Sequence, residues 1–126
     1  MRIAFVTFEY PPSITGGAGV YAYHLTAELA RLGHEIVIFT PVLTEQNLSD
    51  PDDGIRLREV KVFRSLPFKA FQFWLHLPRA VRQEERESQF DVVHINGISY
   101  GFIKDRVSHA PHLLTVHHLV ENSLIN

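Results

Sequence analysis

Residues 2–41 decide the fold of this chain, and they read RIAFVTFEYPPSITGGAGVYAYHLTAELARLGHEIVIFTP. The stretch opens with the apolar run IAFV at positions 3–6, which is typical of a strand buried on both faces. After a loop with prolines and glycines, small and aliphatic residues recur at the three- and four-residue intervals of a helix: Ala18, Ala22, Leu25, Leu29 and Leu32.

Gly33 stands where a helix commonly ends in a left-handed residue, and a second apolar run, IVIF, occupies positions 36–39. Strand, glycine loop, helix and strand make a βαβ unit, and such units build parallel sheets whose ligand sites lie at the carboxyl ends of the strands. The sequence therefore predicts an α/β fold: a Rossmann-like parallel sheet with helices on both faces and the first strand in the centre.

The glycine loop raises the question of a ligand. Helix N-termini carry unpaired N–H groups and attract phosphates and other anions, although Gly16 and Gly17 would also suit a simple tight turn. The segment GAGVYA at positions 17–22 fits the dinucleotide pattern G-x-G-x-x-A, but nine residues separate Thr7 from Gly17. The acidic residue expected after the second strand is missing as well. We therefore expect no nicotinamide or flavin cofactor.

Further elements are predicted beyond this unit, with strands at residues 55–63, 90–96 and 113–116 and a short helix at residues 99–107. In the first of these strands, Ile55 and Leu57 alternate in one phase and Val60 and Val62 in the other. This change of phase predicts a bulge or an edge strand.

Residues 65–87 have aromatic side chains in the first half and charges in the second. Pro78 divides the segment, and we expect it to begin a new helix. The aromatic residues either pack on the sheet or form an exposed patch for a lipid-linked acceptor, a membrane surface or a partner. Four basic residues would suit an anionic surface, whereas three glutamates weaken that interpretation.

Composition narrows the class of protein. A chain of 126 residues makes one domain with a modest core, and a net charge of −2 gives no reason to expect nucleic acid as a partner. The absence of cysteine excludes disulfides and thiolate metal sites. With no apolar stretch near the roughly 18 residues of a spanning helix, we expect a cytoplasmic protein, with peripheral contact at the inner face of a membrane as an option.

The stretch at residues 2–41, followed by FDVVHINGIS and LLTVHH, resembles the start of the GT-B glycosyltransferases of the large retaining family four. The resemblance implies the first half of a GT-B fold, with residues 1–126 forming a truncated acceptor-side domain. It also implies transfer of a sugar from a nucleotide-sugar to an acceptor hydroxyl, without metal or cofactor. The nucleotide-sugar would be held by a C-terminal domain that is missing here.

The candidate site residues lie at the predicted strand ends and in the glycine loop. His94, His117 and His118 lie at or near the carboxyl ends of adjacent predicted strands. Neighbouring strand residues point to opposite faces, so His117 and His118 cannot both enter one site from a regular strand. Histidines that are merely hydrogen-bonded at loop edges are an equal alternative. By resemblance, His117 faces acceptor and sugar and orients a hydroxyl or assists proton transfer. The predicted substrate-binding residues are Gly16, Gly17, Gly19, Asn96 and His118.

A second interpretation stays open on the sequence alone. A non-catalytic, flavodoxin-like α/β module could hold an anion at the glycine loop or a protein partner at residues 65–87. The two interpretations differ in whether the coding sequence continues into a second domain with paired glutamates.

Overall fold

The fold is a five-stranded parallel sheet with a helix on each face, seen in a computed structural model that describes residues 1–11, 16–41, 54–63, 68–97 and 107–117. Its elements, in chain order, are β1 (Arg2–Thr7), α1 (Gly17–Arg31), β2 (Glu35–Pro41), β3 (Ile55–Val60), α2 (Lys69–Glu85), β4 (Val92–Asn96) and β5 (His112–Thr115). The spatial order is β3-β2-β1-β4-β5, and every pairing is parallel. The predicted fold class and the central position of the first strand are confirmed.

The central strand is fully buried because helices cover both of its faces. Ile3 and Phe5 point towards α1 together with Ile36 and Ile38 of β2. The alternate residues of the same strands point towards α2. Burying each of these side chains contributes about 1.5–3 kcal/mol, which explains why β1 and β2 read as continuous apolar runs rather than as alternating patterns.

Helix α1 ends in the way that its sequence predicts. Gly33 has a φ of 92°, its N–H donates to the carbonyl of Ala30, and the N–H of His34 donates to the carbonyl of Leu29. These two bonds make a Schellman motif, which satisfies carbonyls that the helix leaves unpaired. The helix stops at Arg31, so Leu32 lies outside it and is 63% exposed, contrary to its predicted place on the buried face.

Helix α2 is continuous from Lys69 to Glu85, so the prediction that Pro78 begins a new helix was wrong. An interior proline costs about 3 kcal/mol because it removes one backbone hydrogen bond and crowds the preceding turn. Buried side chains on both sides of it, Leu77 and Val81 among them, contribute about 1.5–3 kcal/mol each. Packing on the sheet therefore outweighs the cost of the proline.

The aromatic residues of this segment divide between core and surface. Phe73 and Trp74 are buried against the sheet, whereas Phe68 and Phe71 are 76% and 54% exposed. Packing on the sheet is therefore confirmed for Phe73 and Trp74, while Phe68 and Phe71 are exposed and the role suggested for an exposed patch stays a prediction.

Strand β3 lies at the edge of the described sheet, as predicted, but it needs no bulge. Its register with β2 is uninterrupted from Ile55 to Val60. Ile55 and Leu57 face the α1 side, while Val60 and, just beyond the strand, Val62 face the α2 side. The two phases seen in the sequence are the two covered faces of one regular strand.

An ion-pair cluster fixes the C-terminal end of α2 to the sheet. Glu84 is 5% exposed and forms ion pairs with Arg2 of β1 and with Arg56 and Arg58 of β3. The Arg2 guanidinium also lies 4.5 Å above the ring of Phe90. Arg2 and Glu84 are largely withdrawn from water, so removing Glu84 would leave the buried charge of Arg2 without its buried partner. The cluster sets the position of α2, whose other end reaches the cleft described below.

Some predictions fall outside the described residues, namely the loop after β2, most of the helix at residues 99–107, and the tail from His118 onward. Neither of the two helices in the described part of the chain is long and apolar enough to cross a membrane.

Candidate functional site

A cleft of about 320 Å³ opens where the carboxyl ends of β1 and β4 meet the N-terminal ends of both helices. This is the position at which parallel α/β sheets bind ligands, and the volume suits a small molecule. The lining residues come from four parts of the fold: Thr7, Phe8 and Glu9 at the end of β1; Gly16, Gly17 and Ala18 at the start of α1; Ala70 and Trp74 on α2; and Asn96, Gly97 and His117 at the ends of β4 and β5.

The start of α1 lines the cleft, and the first turn of an α-helix has backbone N–H groups without a partner inside the helix. Gly16 is the N-cap, with extended backbone at φ −159° and ψ −173°, and it offers no side-chain acceptor. The first turn contains no acidic residue that could neutralise the positive end of the helix. Such a terminus carries roughly half a positive charge, so this corner of the cleft favours an anionic group.

The two glycines leave room rather than relieve strain. Neither Gly16 nor Gly17 has a positive φ, so a turn requiring glycine does not explain them. A Cβ built on Gly17 would meet no atom of the described residues within 4 Å, and one on Gly16 would lie 3.8 Å from Oε2 of Glu9. The space in front of Gly17 is therefore open to a ligand, which a larger side chain would displace.

A hydrogen-bonded chain connects the strand ends on the far side of the cleft. Thr7 and Asn96 are register partners in β1 and β4, and Asn96 Nδ2 donates to Thr7 Oγ1 at 3.2 Å and to the carbonyl oxygen of Ala18 at 3.1 Å. The Thr7 hydroxyl donates in turn to the carbonyl of Glu9 at 2.8 Å. Nε2 of His117 lies 2.5 Å from Asn96 Oδ1.

The ring of His117 is also held by an aromatic neighbour. The Tyr21 ring on the first turns of α1 meets it edge to face, with centroids 5.0 Å apart and planes at 75°. His117 is thus fixed by one hydrogen bond and one ring contact, at a point where it borders the cleft.

Four of the six predicted site residues line this cleft, namely Gly16, Gly17, Asn96 and His117. Gly19 does not: it is buried at the third position of α1, and the helical rotation of about 100° per residue turns it away from Gly17. His118 lies outside the described residues. His94, which the sequence also placed near strand ends, is buried below the cleft between Phe5 and Thr115.

Sequence reasoning missed Glu9 and Trp74 as parts of the cleft. Glu9 is the first carboxylate after the buried first strand, and that position alone could have indicated it. Trp74 comes from the opposite layer, and no local pattern places it beside the glycine loop. Trp74 is 6% exposed, and its indole N–H has no hydrogen-bond partner among the described residues. Within the same residues, no three histidine, aspartate or glutamate side chains converge as metal ligands.

The fold and the cleft together define a Rossmann-like α/β domain, with an anion-favouring corner beside a histidine and a carboxylate. Residues 15–125 match the family model described as Glycosyltransferase Family 4. The chain therefore belongs to Glycosyltransferase Family 4 and has the fold of the N-terminal domain of a GT-B glycosyltransferase. This agrees with the resemblance carried by residues 2–41.

Individual relatives show the same relationship over different lengths. A glycogen synthase of Mycobacterium tuberculosis is 35% identical over 63 residues, which cover 45% of this chain and 15% of the relative. An uncharacterized glycosyltransferase of Methanocaldococcus jannaschii is 26% identical over 126 residues, covering 93% of this chain and 31% of the relative. The chain thus spans less than a third of the length of these curated relatives.

A solved structure extends the comparison to the whole chain. The sucrose-phosphate synthase from Thermosynechococcus elongatus superposes with a TM-score of 0.75 over 99% of this chain and 35% of its own, at 17% identity. At that identity the likeness concerns the fold.

Proposed function

We propose that this chain is the acceptor-side half of an enzyme that transfers a hexosyl group from a nucleotide-sugar to an acceptor hydroxyl, with retention of anomeric configuration. The observation that carries the proposal is the composition of one cleft, in which the open N-terminus of α1 faces Glu9 and His117. A sugar phosphate needs donors for its phosphate and acceptors for its hydroxyls, and this cleft offers both.

The proposed role of each group that lines the cleft follows from its chemistry. Backbone N–H groups at Gly16 and Gly17 would stabilise the phosphate charge that develops as the nucleoside diphosphate leaves. The Glu9 carboxylate would accept hydrogen bonds from sugar hydroxyls. His117 would orient the acceptor hydroxyl or take its proton. The nucleotide-sugar is a substrate in this scheme, which requires no metal and no cofactor.

The proposal assigns the remaining binding groups to a second, C-terminal domain. The support for this is the length of the relatives, of which this chain matches 15% and 31% in the two cases above. If the proposal is right, the coding sequence continues in frame past Asn126 into a domain with two glutamates spaced along a helix. A stop codon directly after Asn126 would contradict this part of it.

A finer part of the proposal concerns contact with a membrane through α2. Its outward face carries a line of side chains at helical spacing, here called the α2 stripe: Phe68, Phe71, Leu75, Arg79 and Arg82, all of them exposed. Phe68 adopts the left-handed conformation at φ 63° and ψ 50°, which costs a non-glycine residue about 1–2 kcal/mol. Its ring is 76% exposed, so burial does not offset that strain.

Charge distribution favours an anionic lipid surface as the occupant of the α2 stripe. The glutamates that weakened this interpretation at the sequence level are engaged elsewhere. Glu84 is buried among three arginines, Glu85 accepts a hydrogen bond from Ser108, and Glu87 lies 3.6 Å from Arg56. The outward face is thus apolar at one end and basic at the other, as in interfacial helices. Because α2 also lines the cleft, a cytoplasmic enzyme that binds the inner face of the membrane through α2 would bring its cleft close to a lipid-linked acceptor.

Substitution of Gly17 tests the ligand-binding part of the proposal. In the protein with both domains, Gly17→Val should lower kcat/KM on the order of a hundredfold, the usual loss when one positioned donor is blocked. In this chain alone, the backbone amide resonances of residues 16–18 should move when UDP-glucose or inorganic phosphate is added, and Gly17→Val should abolish that response. Gly17→Ala should give an intermediate result.

The test is clear only if Gly17→Val leaves the free energy of unfolding almost unchanged. Because Gly17 has no positive φ and open space before its Cβ, Gly17→Val should change the free energy of unfolding by less than about 1 kcal/mol. Gly33→Ala is the matched control: φ is 92° there, so it should cost about 1–2 kcal/mol and leave the phosphate response intact. A Gly17→Val variant that melts far below the parent yet keeps its phosphate response would contradict the assignment.

A further inference from the structure

The side-chain amide of Asn96 has only one orientation that satisfies its neighbours. One end of the amide lies 3.1 Å from the carbonyl oxygen of Ala18, and a carbonyl oxygen can only accept a hydrogen bond. That end is therefore the NH₂ group, and the oxygen Oδ1 must face the other way. The Thr7 hydroxyl agrees with this assignment, because it donates to the carbonyl of Glu9 and so presents a lone pair to Asn96 Nδ2.

The orientation of Asn96 decides which nitrogen of His117 bears the proton. Asn96 Oδ1 is an acceptor, and His117 Nε2 lies 2.5 Å from it, so Nε2 must be the donor. In a neutral imidazole only one nitrogen is protonated, which leaves Nδ1 with the lone pair. Asn96 is 5% exposed, so little of its amide is accessible to water.

We infer that Asn96 is a positioning residue that holds neutral His117 as the Nε2–H tautomer, so that Nδ1 is the nitrogen able to accept a proton or a hydrogen bond. This revises the predicted role of Asn96 from a substrate ligand to a residue that acts through His117. The chain from Glu9 through Thr7 and Asn96 to His117 runs along the ends of β1 and β4. Each N–H or O–H in it meets one acceptor. A proton on Nδ1 instead of Nε2 would therefore leave a bare Nε2 facing Asn96 Oδ1, two acceptors with no hydrogen between them.

The consequence for catalysis rests on the proposed function, whereas the tautomer itself does not. If His117 faces the acceptor hydroxyl, the hydroxyl donates to Nδ1, and the ring can then hold the proton that the hydroxyl loses. Nitrogen resonances of the chain without ligand report the tautomer directly. A failure of this inference is therefore distinct from a failure of the sugar-transfer proposal, which is tested with phosphate and nucleotide-sugars.

The experiment is nuclear magnetic resonance of the chain with ¹⁵N-labelled histidine, with the His117 signals assigned by their loss in His117→Gln. At a pH where the ring is neutral, the parent should show a protonated Nε2 and a bare Nδ1. In Asn96→Leu the acceptor is gone, so the ratio of the two tautomers should shift towards Nδ1–H on the order of fivefold, the bias that one hydrogen bond supplies.

Thr7→Val is the matched control, because it removes a hydroxyl from the same buried corner and keeps the contact between Asn96 Oδ1 and His117 Nε2. It should leave a single tautomer. If Asn96→Leu does not fold, the double variant Thr7→Val/Asn96→Leu replaces both polar groups with apolar ones, which is often nearly neutral for stability. An Nδ1–H tautomer in the parent, or an unchanged tautomer ratio in a folded variant without Asn96, would overturn the inference.

Discussion

His94 is a titratable side chain with a structural place in the sheet, whereas His117 borders the cleft. It is 7% exposed, its ring packs on Phe5 with centroids 4.8 Å apart, and Nε2 lies 2.6 Å from Thr115 Oγ1. Burial lowers the pKa of His94 below its ordinary value of 6.5, because the charged ring loses its hydration. The folded chain therefore holds this ring neutral at a pH where the unfolded chain would protonate it.

This difference predicts a loss of stability on mild acidification. The unfolded chain binds a proton at His94 as the pH falls through about 6.5, and the folded chain does so only at lower pH. The contribution of His94 to the free energy of unfolding is therefore complete above about pH 6.5 and declines below it. One such group changes the free energy of unfolding by at most about 1.4 kcal/mol per pH unit. Chemical denaturation between pH 7.5 and about 5 measures the slope.

Two variants assign the slope to its source. His94→Gln keeps a polar group near Thr115 without a titrating ring, and it should flatten the pH dependence. His76→Gln alters an exposed histidine of α2 and should leave the slope unchanged. If both variants retain the full slope, another group is responsible.

For single residues, the local backbone conformation could be predicted from the sequence. The side of the helix on which a glycine of the loop lies could not. Gly33 was predictable because a left-handed helix end needs only the residue itself and its place after the helix. Gly17 and Gly19 are two residues apart in the same loop pattern, yet Gly17 borders the cleft and Gly19 is buried. That difference depends on the residue at which the helix begins, and the pattern of apolar residues does not define this start to within one position.

At the scale of elements, the errors share one physical cause, which is that packing between layers overrides local preference. Pro78 would normally end a helix, but apolar residues buried on both sides of it keep α2 continuous. In β3, two phases of apolar residues are compatible with a regular strand because both faces are covered. The periodicity of α1 indicated its buried face correctly at Ala22, Leu25 and Leu29, whereas the local sequence of α2 left open whether it packs on the sheet.

The α2 stripe makes the next prediction, which concerns binding to vesicles. The chain should co-sediment with vesicles containing about 30% phosphatidylserine and not with pure phosphatidylcholine, because the basic end of the stripe needs anionic headgroups. Binding should weaken as salt is raised, since screening shortens the reach of Arg79 and Arg82. Replacing Phe71 and Leu75 with serine should reduce binding at least about tenfold, because both side chains would otherwise leave water.

Leu32→Ser provides the control for this double substitution. Leu32 is 63% exposed, close to the 62% of Leu75, but it lies just past the end of α1. It should leave vesicle binding unchanged. Equal loss in Leu32→Ser, or salt-independent binding to both kinds of vesicle, would show that the stripe is not a membrane contact.

At the scale of the whole molecule, the central place of the first strand followed from the sequence more readily than the shape of the cleft. A βαβ unit with short connections and a right-handed crossover leaves few arrangements, and β1 in the centre is one of them. The cleft also needs α2, which reaches it across the other face of the sheet with Ala70 and Trp74. The distance in sequence between Gly17 and Trp74 removes any local signal for that meeting.

The last prediction is that this chain alone transfers no sugar. Under the proposed function, donor and acceptor meet between two domains, and holding two reactants in reactive geometry is worth effective concentrations of about 10⁵–10⁸ M. Incubation with UDP-glucose, ADP-glucose or GDP-mannose and a panel of hydroxyl acceptors should therefore give no product above the buffer control. The response of residues 16–18 to phosphate, measured on the same sample, shows that the chain is folded and its cleft is open.

Supplying the second domain in one continuous chain should restore turnover, and His117→Gln in that longer protein should reduce it. Donor-dependent turnover by residues 1–126 alone would refute the two-domain proposal. Phosphate binding without turnover, even in the longer protein, would favour a non-catalytic module that uses the same cleft to hold an anion.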